Sequence, residues 1–249
     1  MSDCLSSSVL ERAGFMYSIK GFNPHTFIDW EGKVACVIYL PGCNFKCPFC
    51  HSSGLVVNPQ ELTSVPLEHI ERFIKEKQGW VDAVVIGGGE PTLTAELPLL
   101  LQEFKSLNIL IKLDTNGTNP KMLEELIARD LVDYVAMDIK APLEKDKYEF
   151  VVKSPVRIED IRKSIGVLME TGIDYEFRTT VVPELLREQD ILQISRIISG
   201  ANLYVLQQFS PKDTLDPALA ELKPYSQEKL KKFAQICGEY VKKCIVRGI

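Results

Sequence analysis

Three cysteines stand on one short segment of this chain, Cys43-Asn44-Phe45-Lys46-Cys47-Pro48-Phe49-Cys50, with C-x3-C-x2-C spacing. Iron–sulfur clusters are held by cysteine thiolates, four of them in a closed [4Fe–4S] site. Three close ligands without an evident fourth point to a cubane with one iron left open. Such an iron can bind and polarise a substrate, as open metal positions do in other catalytic sites. Zinc is the alternative, because His51 follows Cys50 and completes a Cys3His set. Adjacent residues seldom both turn toward one tetrahedral ion, yet the triplet by itself leaves both metals open. A disulfide framework fits poorly: no apolar signal stretch follows Met1-Ser2-Asp3-Cys4. Seven cysteines in a chain expected to be cytoplasmic read as reduced thiols.

These residues need a scaffold, and the chain is long enough to supply one. It has 249 residues, 45% of them hydrophobic, which suffices for one substantial core. A net charge of -5 argues against a broad electrostatic grip on nucleic acid. The Lys229-Leu230-Lys231-Lys232 cluster reads as the solvated face of a helix. No apolar window reaches the length of a membrane span. Residues 1–20 lack a period and carry Ser6-Ser7-Ser8, so they are expected to be loosely held, with no role for Cys4. Residues 21–249 are expected to form the single functional domain.

Short β-branched runs alternate with longer helical patterns, the signature of βαβ units around a parallel sheet. The pattern predicts strands over 33–40, 83–86, 109–114, 134–140, 175–182 and 203–208. Helices are predicted near 67–77, 95–106, 120–129, 158–171 and 184–198, with a last one from about 226 to 246. Six strands and six helices suggest an α/β fold, an open partial (β/α)6 TIM-like barrel with the helices outside. In such barrels active sites gather at the C-terminal ends of the strands, and the cysteine segment follows the first of them.

Two strands carry charge on one face. Ala136, Asp138 and Lys140 alternate with apolar residues, as do Glu176, Arg178 and Thr180. The opposite faces must pack under helices, so the polar faces line the lumen, and a polar lumen implies a substrate cavity. The plainer alternative is a purely structural Asp138–Lys140 pair. The remaining cysteines look structural. Cys36 lies inside the first predicted strand, and Cys237 and Cys244 fall on a helical stripe with Leu230, Phe233, Tyr240 and Val241.

Two loops complete the inventory. Gly87-Gly88-Gly89-Glu90 is no phosphate loop, since no Gly-Lys-Ser/Thr follows and Glu90 would repel phosphate; it offers bare backbone that a ligand can approach. Asp114-Thr115-Asn116-Gly117 is a strong turn signal at a strand end. The cysteine spacing followed by Gly87-Gly88-Gly89-Glu90-Pro91 resembles the radical S-adenosylmethionine (SAM) superfamily. Asp114-Thr115-Asn116-Gly117, Met137-Asp138-Ile139-Lys140 and the run 176–183 resemble the activating enzymes of glycyl radical proteins. That resemblance extends roughly over 21–211 and includes 27–33, although Trp30-Glu31 stands where the family usually has Tyr-Pro.

The resemblance implies one [4Fe–4S] cluster on Cys43, Cys47 and Cys50, and SAM bound at Gly88, Gly89 and Glu90. It places Asp114 near the SAM ribose and a monovalent cation, Asp138 and Lys140 by the sulfonium as catalytic residues, and Arg178 on SAM. The reduced cluster would cleave SAM to methionine and a 5′-deoxyadenosyl radical, which takes a hydrogen from a backbone glycine of a partner. Leu206-Gln207-Gln208-Phe209 resembles the branch that activates anaerobic ribonucleoside-triphosphate reductase, with a flavodoxin or ferredoxin as reductant. The pyruvate formate-lyase branch carries a histidine there instead. No ferredoxin-like cysteine insertion separates Cys50 from Gly87, so further clusters are not expected. The competing enzyme reading is radical chemistry on a small molecule, as in 7-carboxy-7-deazaguanine synthase.

Overall fold

Of the predicted strands, 83–86 is a continuous apolar run, as a parallel strand covered on both faces requires, while 109–114, 134–140 and 175–182 interleave polar residues among apolar ones. The computed structural model describes residues 17–249. Cys4 and the start of the predicted loose segment lie outside the described residues. Eight strands form one sheet in simple sequential order: β1 (Gly21–Thr26), β2 (Ala35–Leu40), β3 (Ala83–Gly88), β4 (Leu110–Thr115), β5 (Tyr134–Asp138), β6 (Asp174–Val181), β7 (Tyr204–Gln208) and β8 (Cys244–Arg247). β1 runs antiparallel to β2, and each later pair is parallel. Helices fill the crossovers: α1 (Ser53–Val57), α2 (Leu67–Glu76), α3 (Leu97–Ser106), α4 (Pro120–Ala128), α5 (Lys145–Val152), α6 (Ile158–Glu170), α7 (Glu188–Ile197) and α8 (Gln227–Cys237).

The outer face of the sheet and the inner stripes of the helices make one core. In α3, Leu97, Leu100, Leu101 and Phe104 recur at helical spacing and are fully buried. They belong to the same cluster as Ile38, Ile86, Ile111, Met137, Phe177 and Leu206. A smaller apolar group, Ala35, Val37, Ala83 and Val85, faces the lumen with Trp30, Tyr39 and Leu110 packed against it. Beneath it the β1–β2 loop closes the floor, where Trp30 packs on the Tyr134 ring 5.3 Å away. Ile19 is fully buried and Lys20 donates to the Tyr39 carbonyl (2.8 Å), so this end of the described chain is fastened to β2.

The six predicted strands correspond to β2 through β7, and β1, α1, α5, α8 and β8 depart from the sequence reading. β1 contains Pro24 and Asn23, poor strand formers that an edge position tolerates. Helices α1 and α5 fall outside the predicted ones. The last helix does not reach 246: it stops at Cys237, with Gly238 at its C-cap, and the chain turns to add β8 beside β7. Cys244 is therefore a strand residue, and the supposed helical stripe is shared between two elements.

The glycine run is explained by backbone packing. Gly89 and Glu90 donate to the carbonyls of Leu40 (2.8 Å) and Gly42 (2.7 Å). Gly88 has φ 115°, a Cβ on it would overlap the Leu40 backbone, and one on Gly89 would overlap the Gly42 carbonyl. The run is bare because the cysteine loop's first residues lie directly on it. Gly89→Ala should therefore lower unfolding stability by about 3 kcal/mol in urea denaturation. Gly166→Ala, in α6 with open space around it, should raise it by about 0.5–1 kcal/mol. Equal midpoints for the two variants would refute the packing argument.

Candidate active site

The cysteine loop leaves β2 at its C-terminal end and is clamped by backbone bonds on both sides. Gly42 donates to Leu55 (2.8 Å), Lys46 to Val152 at the end of α5 (2.9 Å), and Pro48 accepts from Asp216 (2.9 Å). Phe45 and Phe49 are buried, and Phe45 packs on Tyr148 of α5 with ring centroids 6.1 Å apart. Apolar anchors between the cysteines thus leave the three thiols facing one cavity of about 270 Å³. Its wall includes Cys43, Cys47, Cys50, Gly87 to Glu90, Asp114, Asn116, Asp138, Lys140 and Arg178. Every residue that the sequence reading assigned to cluster, cofactor or chemistry lines this space. Asp29, Tyr39 and Thr180 line it too.

The parallel register brings the charges together. Asp138 pairs with Arg178 across β5 and β6, and Asp114 with Ala136 across β4 and β5. Arg178 donates to Asp138 through Nε (3.0 Å) and to Asp114 through Nη1 (3.0 Å). Lys140 donates to the other Asp138 oxygen (3.0 Å). Burial alone would raise the Asp138 carboxyl; the Arg178 guanidinium and Lys140 ammonium outweigh it and hold that carboxyl well below the usual range. Burial opposes the Lys140 charge as well, and the Asp138 carboxylate overrides it, so Lys140 is held above its ordinary value. β5 itself ends at Asp138, and Lys140 is placed just beyond it, its backbone N–H donating to the Tyr148 hydroxyl (3.0 Å).

Glu176 belongs to a deeper layer. Arg247 of β8 grips it with two bonds (2.9 and 3.0 Å), and Lys112 lies 3.7 Å away. Lys112 also donates to the Asp29 carbonyl on the floor loop. Burial would raise Glu176, but the Arg247 bonds and the Lys112 charge hold it below its ordinary value. The small Ala136, between β4 and β6, leaves room for Lys112 to reach across.

Glu90 is fully buried, and its carboxylate is taken up by protein groups. Oε1 accepts from Thr92 N (3.1 Å), Thr92 Oγ1 (2.6 Å) and Thr115 Oγ1 (2.7 Å); Oε2 accepts from Asn116 N (2.6 Å). Burial raises its pKa against the pull of these donors. Glu90 therefore bolts the glycine loop to the loop after β4. Asn119 caps α4 through Met122 N and also reaches the Thr92 carbonyl (2.7 Å), reinforcing the same junction. In the Leu206-Gln207-Gln208-Phe209 segment, Gln208 turns its amide to the Tyr225 carbonyl (2.8 Å) and Phe209 is buried.

The cysteine environment fits a cluster. Cys43 sulfur accepts from Phe45 N (3.4 Å) and lies 3.9 Å from the Asn116 amide nitrogen. Burial pushes the Cys47 thiol up to about 12, with Lys140 pulling the other way, so binding iron there must displace a proton. Among the described residues no three His, Cys, Asp or Glu side chains converge on one metal ion, and His51 is exposed. His51 lines the same cavity as the three thiols, so this geometry by itself does not separate zinc from a cluster.

Residues 37–194 match the radical SAM superfamily. The chain belongs to this superfamily. Its members use a [4Fe–4S] cluster and SAM, and this chain is accordingly a radical SAM enzyme. A Methanocaldococcus jannaschii protein, provisionally named a glycyl-radical enzyme activating enzyme, is 34% identical over 93% of this chain and 96% of its own length. The 7-carboxy-7-deazaguanine synthase of Hyperthermus butylicus is 32% identical, but over only 46% of each chain. Among solved structures, Streptococcus suis SuiB bound to its precursor peptide SuiA superposes with a TM-score of 0.67 at 19% identity. That match covers 85% of this chain and 48% of SuiB, so the chain spans about half of that protein. Escherichia coli coproporphyrinogen III oxidase superposes at 0.54 and 13% identity over 82% of this chain and 52% of its own. Both establish the partial-barrel fold. Among the described residues no helix is long and apolar enough to cross a membrane.

The ion network carries a pH signature. Asp138 and Glu176 have depressed folded values, so their stabilisation is present above their unfolded values of about 4 and is lost as pH falls through the folded ones. Lys140, raised, contributes below about 10.4 and loses that contribution as pH rises through its folded value. Glu90 acts in the opposite sense to Asp138, so the comparison is made between variants. Urea midpoints of the Asp138→Asn, Glu176→Gln double variant should fall less steeply than wild type below about pH 4. Parallel acid limbs would contradict the assigned network.

Proposed function

We propose that this chain activates a glycyl radical enzyme, most specifically an anaerobic ribonucleoside-triphosphate reductase, in the cytoplasm with a flavodoxin or ferredoxin as electron donor. The observation that carries the reading is the convergence of the cysteine triplet, the glycine loop and the Asp114–Arg178–Asp138–Lys140 network on one cavity. The end-to-end likeness to the M. jannaschii protein supports the activase class over the small-molecule alternative, whose likeness stops short of half of each chain.

In this reading Cys43, Cys47 and Cys50 hold the cluster, and the backbone of Gly88 and Gly89 with Glu90 shapes the seat for the methionine end of SAM. When bound, the reduced cluster and SAM supply a 5′-deoxyadenosyl radical that abstracts hydrogen from a backbone glycine. The chain's own residues position and shield. Asp114 flanks the ribose and a monovalent cation, Arg178 fixes Asp114 and Asp138 at their separation, and Asp138 with the ammonium of Lys140 faces the sulfonium. The floor loop and Trp30 close the lumen below. The sheet remains open, since β1 and β8 do not pair. That lateral gap suits entry of a peptide loop that would itself exclude water from the radical.

Anaerobically reconstituted protein should carry about four irons, and each of Cys43→Ala, Cys47→Ala and Cys50→Ala should abolish SAM cleavage. Cys237→Ala should retain it. Asp138→Ala should keep the iron and lose cleavage rate by about two orders of magnitude. Cluster assembly in a triple alanine variant would remove the metal assignment.

Partner choice is read by electron paramagnetic resonance after incubation with SAM, reductant and a reductase from the same genome. The expected product is a glycyl doublet that disappears when the partner's radical glycine is replaced. Cleavage of SAM with no doublet would transfer the assignment to small-molecule chemistry.

A further inference from the structure

A ring of three side chains joins the cysteine loop to the loop after β4, and a single main-chain group sets its polarity. Thr118 N donates to Asn116 Oδ1 (3.0 Å). A backbone N–H only donates, so the Asn116 oxygen must face Thr118 and its Nδ2 must face the other way. There Nδ2 meets Asn44 Oδ1 at 2.8 Å and Cys43 Sγ at 3.9 Å. Asn44 Nδ2 in turn donates to Thr118 Oγ1 (2.8 Å), whose hydroxyl donates to Asn116 Oδ1 (2.7 Å). Each member donates to the next, an arrangement in which hydrogen bonds polarise one another. Asn116 is buried, and its own N–H is held by Glu90.

We propose that Asn116 is a positioning residue that raises the reduction potential of a cluster bound at Cys43, by directing an amide N–H at that sulfur. The inference rests on the cluster reading of the cysteine triplet. Reduction adds one electron, taken from a low-potential one-electron donor, and breaks no bond. The added negative charge is shared by the sulfurs, so an N–H donor at sulfur stabilises the reduced form more than the oxidised one. Phe45 N–H gives Cys43 a second donor at 3.4 Å. It belongs to the main chain and cannot be varied by side-chain choice. Asn116 is the adjustable part of the pair.

The test is a dithionite titration of anaerobically reconstituted protein with mediator dyes, followed by the paramagnetic signal of the reduced cluster. Asn116→Ala should lower the midpoint potential by about 59 mV, a tenfold change for one electron. Asn116→Asp should lower it further. That variant keeps an acceptor for Thr118 N–H, and so keeps the turn, but presents oxygen instead of N–H to Cys43. Asp also brings a negative charge, which lowers the potential by itself, so the neutral Ala variant carries the test: a merely structural role leaves its potential unchanged. An unchanged potential for Ala, or a larger shift for Ala than for Asp, would overturn the proposal. If either variant fails to assemble a cluster, Asn116→Ser takes its place, since its hydroxyl can still accept from Thr118 N–H. A lowered potential then supports the proposal and an unchanged one overturns it. Wild-type protein that assembles no cluster refutes the cluster reading instead, so the two failures are distinct.

Discussion

One buried carboxylate holds the site together. Glu90 takes four hydrogen bonds from three residues, two of them from main-chain N–H groups that can only donate. A carboxylate meets that demand because it has acceptor capacity on both oxygens. Through it, the glycine loop and the loop after β4 become one rigid piece. Gly88 and Gly89 seat that piece directly on Leu40 and Gly42, where the cysteine loop begins. The cysteine triplet and the Asp114 loop are far apart in sequence, and their relative placement depends on this contact.

The second constraint is the cost of the lumen charges. Taking Lys112, Glu176, Arg178 and Asp138 out of water is unfavourable, and pairing recovers only part of it, so buried ion networks are poor devices for stability. An apolar barrel interior would be the cheaper solution. Here Asp114, Asp138, Lys140 and Arg178 line a polar cavity instead. The lower layer, Lys112, Glu176 and Arg247, supports an upper layer of Asp114, Arg178, Asp138 and Lys140 that lines the cavity shared with the three thiols. Arg178 links the layers, lying 3.0 Å from Asp114 and 3.9 Å from Glu176. Substitutions in the lower layer would thus act on chemistry through geometry.

Much of this was legible in the chain before any coordinates. β2 and β3 announce themselves as apolar runs and β4 to β7 as apolar runs broken by polar residues, and the alternation of Asp138 and Arg178 with apolar neighbours identifies the lumen-facing side of β5 and β6. The cysteine spacing identifies the loop. What stayed hidden depends on distant partners. β1 contains Pro24, and only pairing with β2 makes it a strand. β8 continues the period of α8 closely enough to pass for helix until Gly238 breaks it. The role of Glu90 needed the positions of Thr115 and Asn116, and Asn116 read as a turn residue because its link to Asn44 spans 72 positions. The glycine run was recognised, but its first reason is backbone contact with Gly42.

Amide hydrogen exchange on the Glu90→Gln variant, without cofactors, tests the central claim most directly. The amide would place an N–H where Thr92, Thr115 and Asn116 all donate, and an unsatisfied buried group costs about 1–3 kcal/mol. The account predicts exchange faster by about tenfold or more, at 1.4 kcal/mol per decade, in the segments containing Gly88–Thr92 and Thr115–Gly117. Helix α6 should be unaffected. Protection equal to wild type in both loops would contradict the claim that this carboxylate holds the site in place.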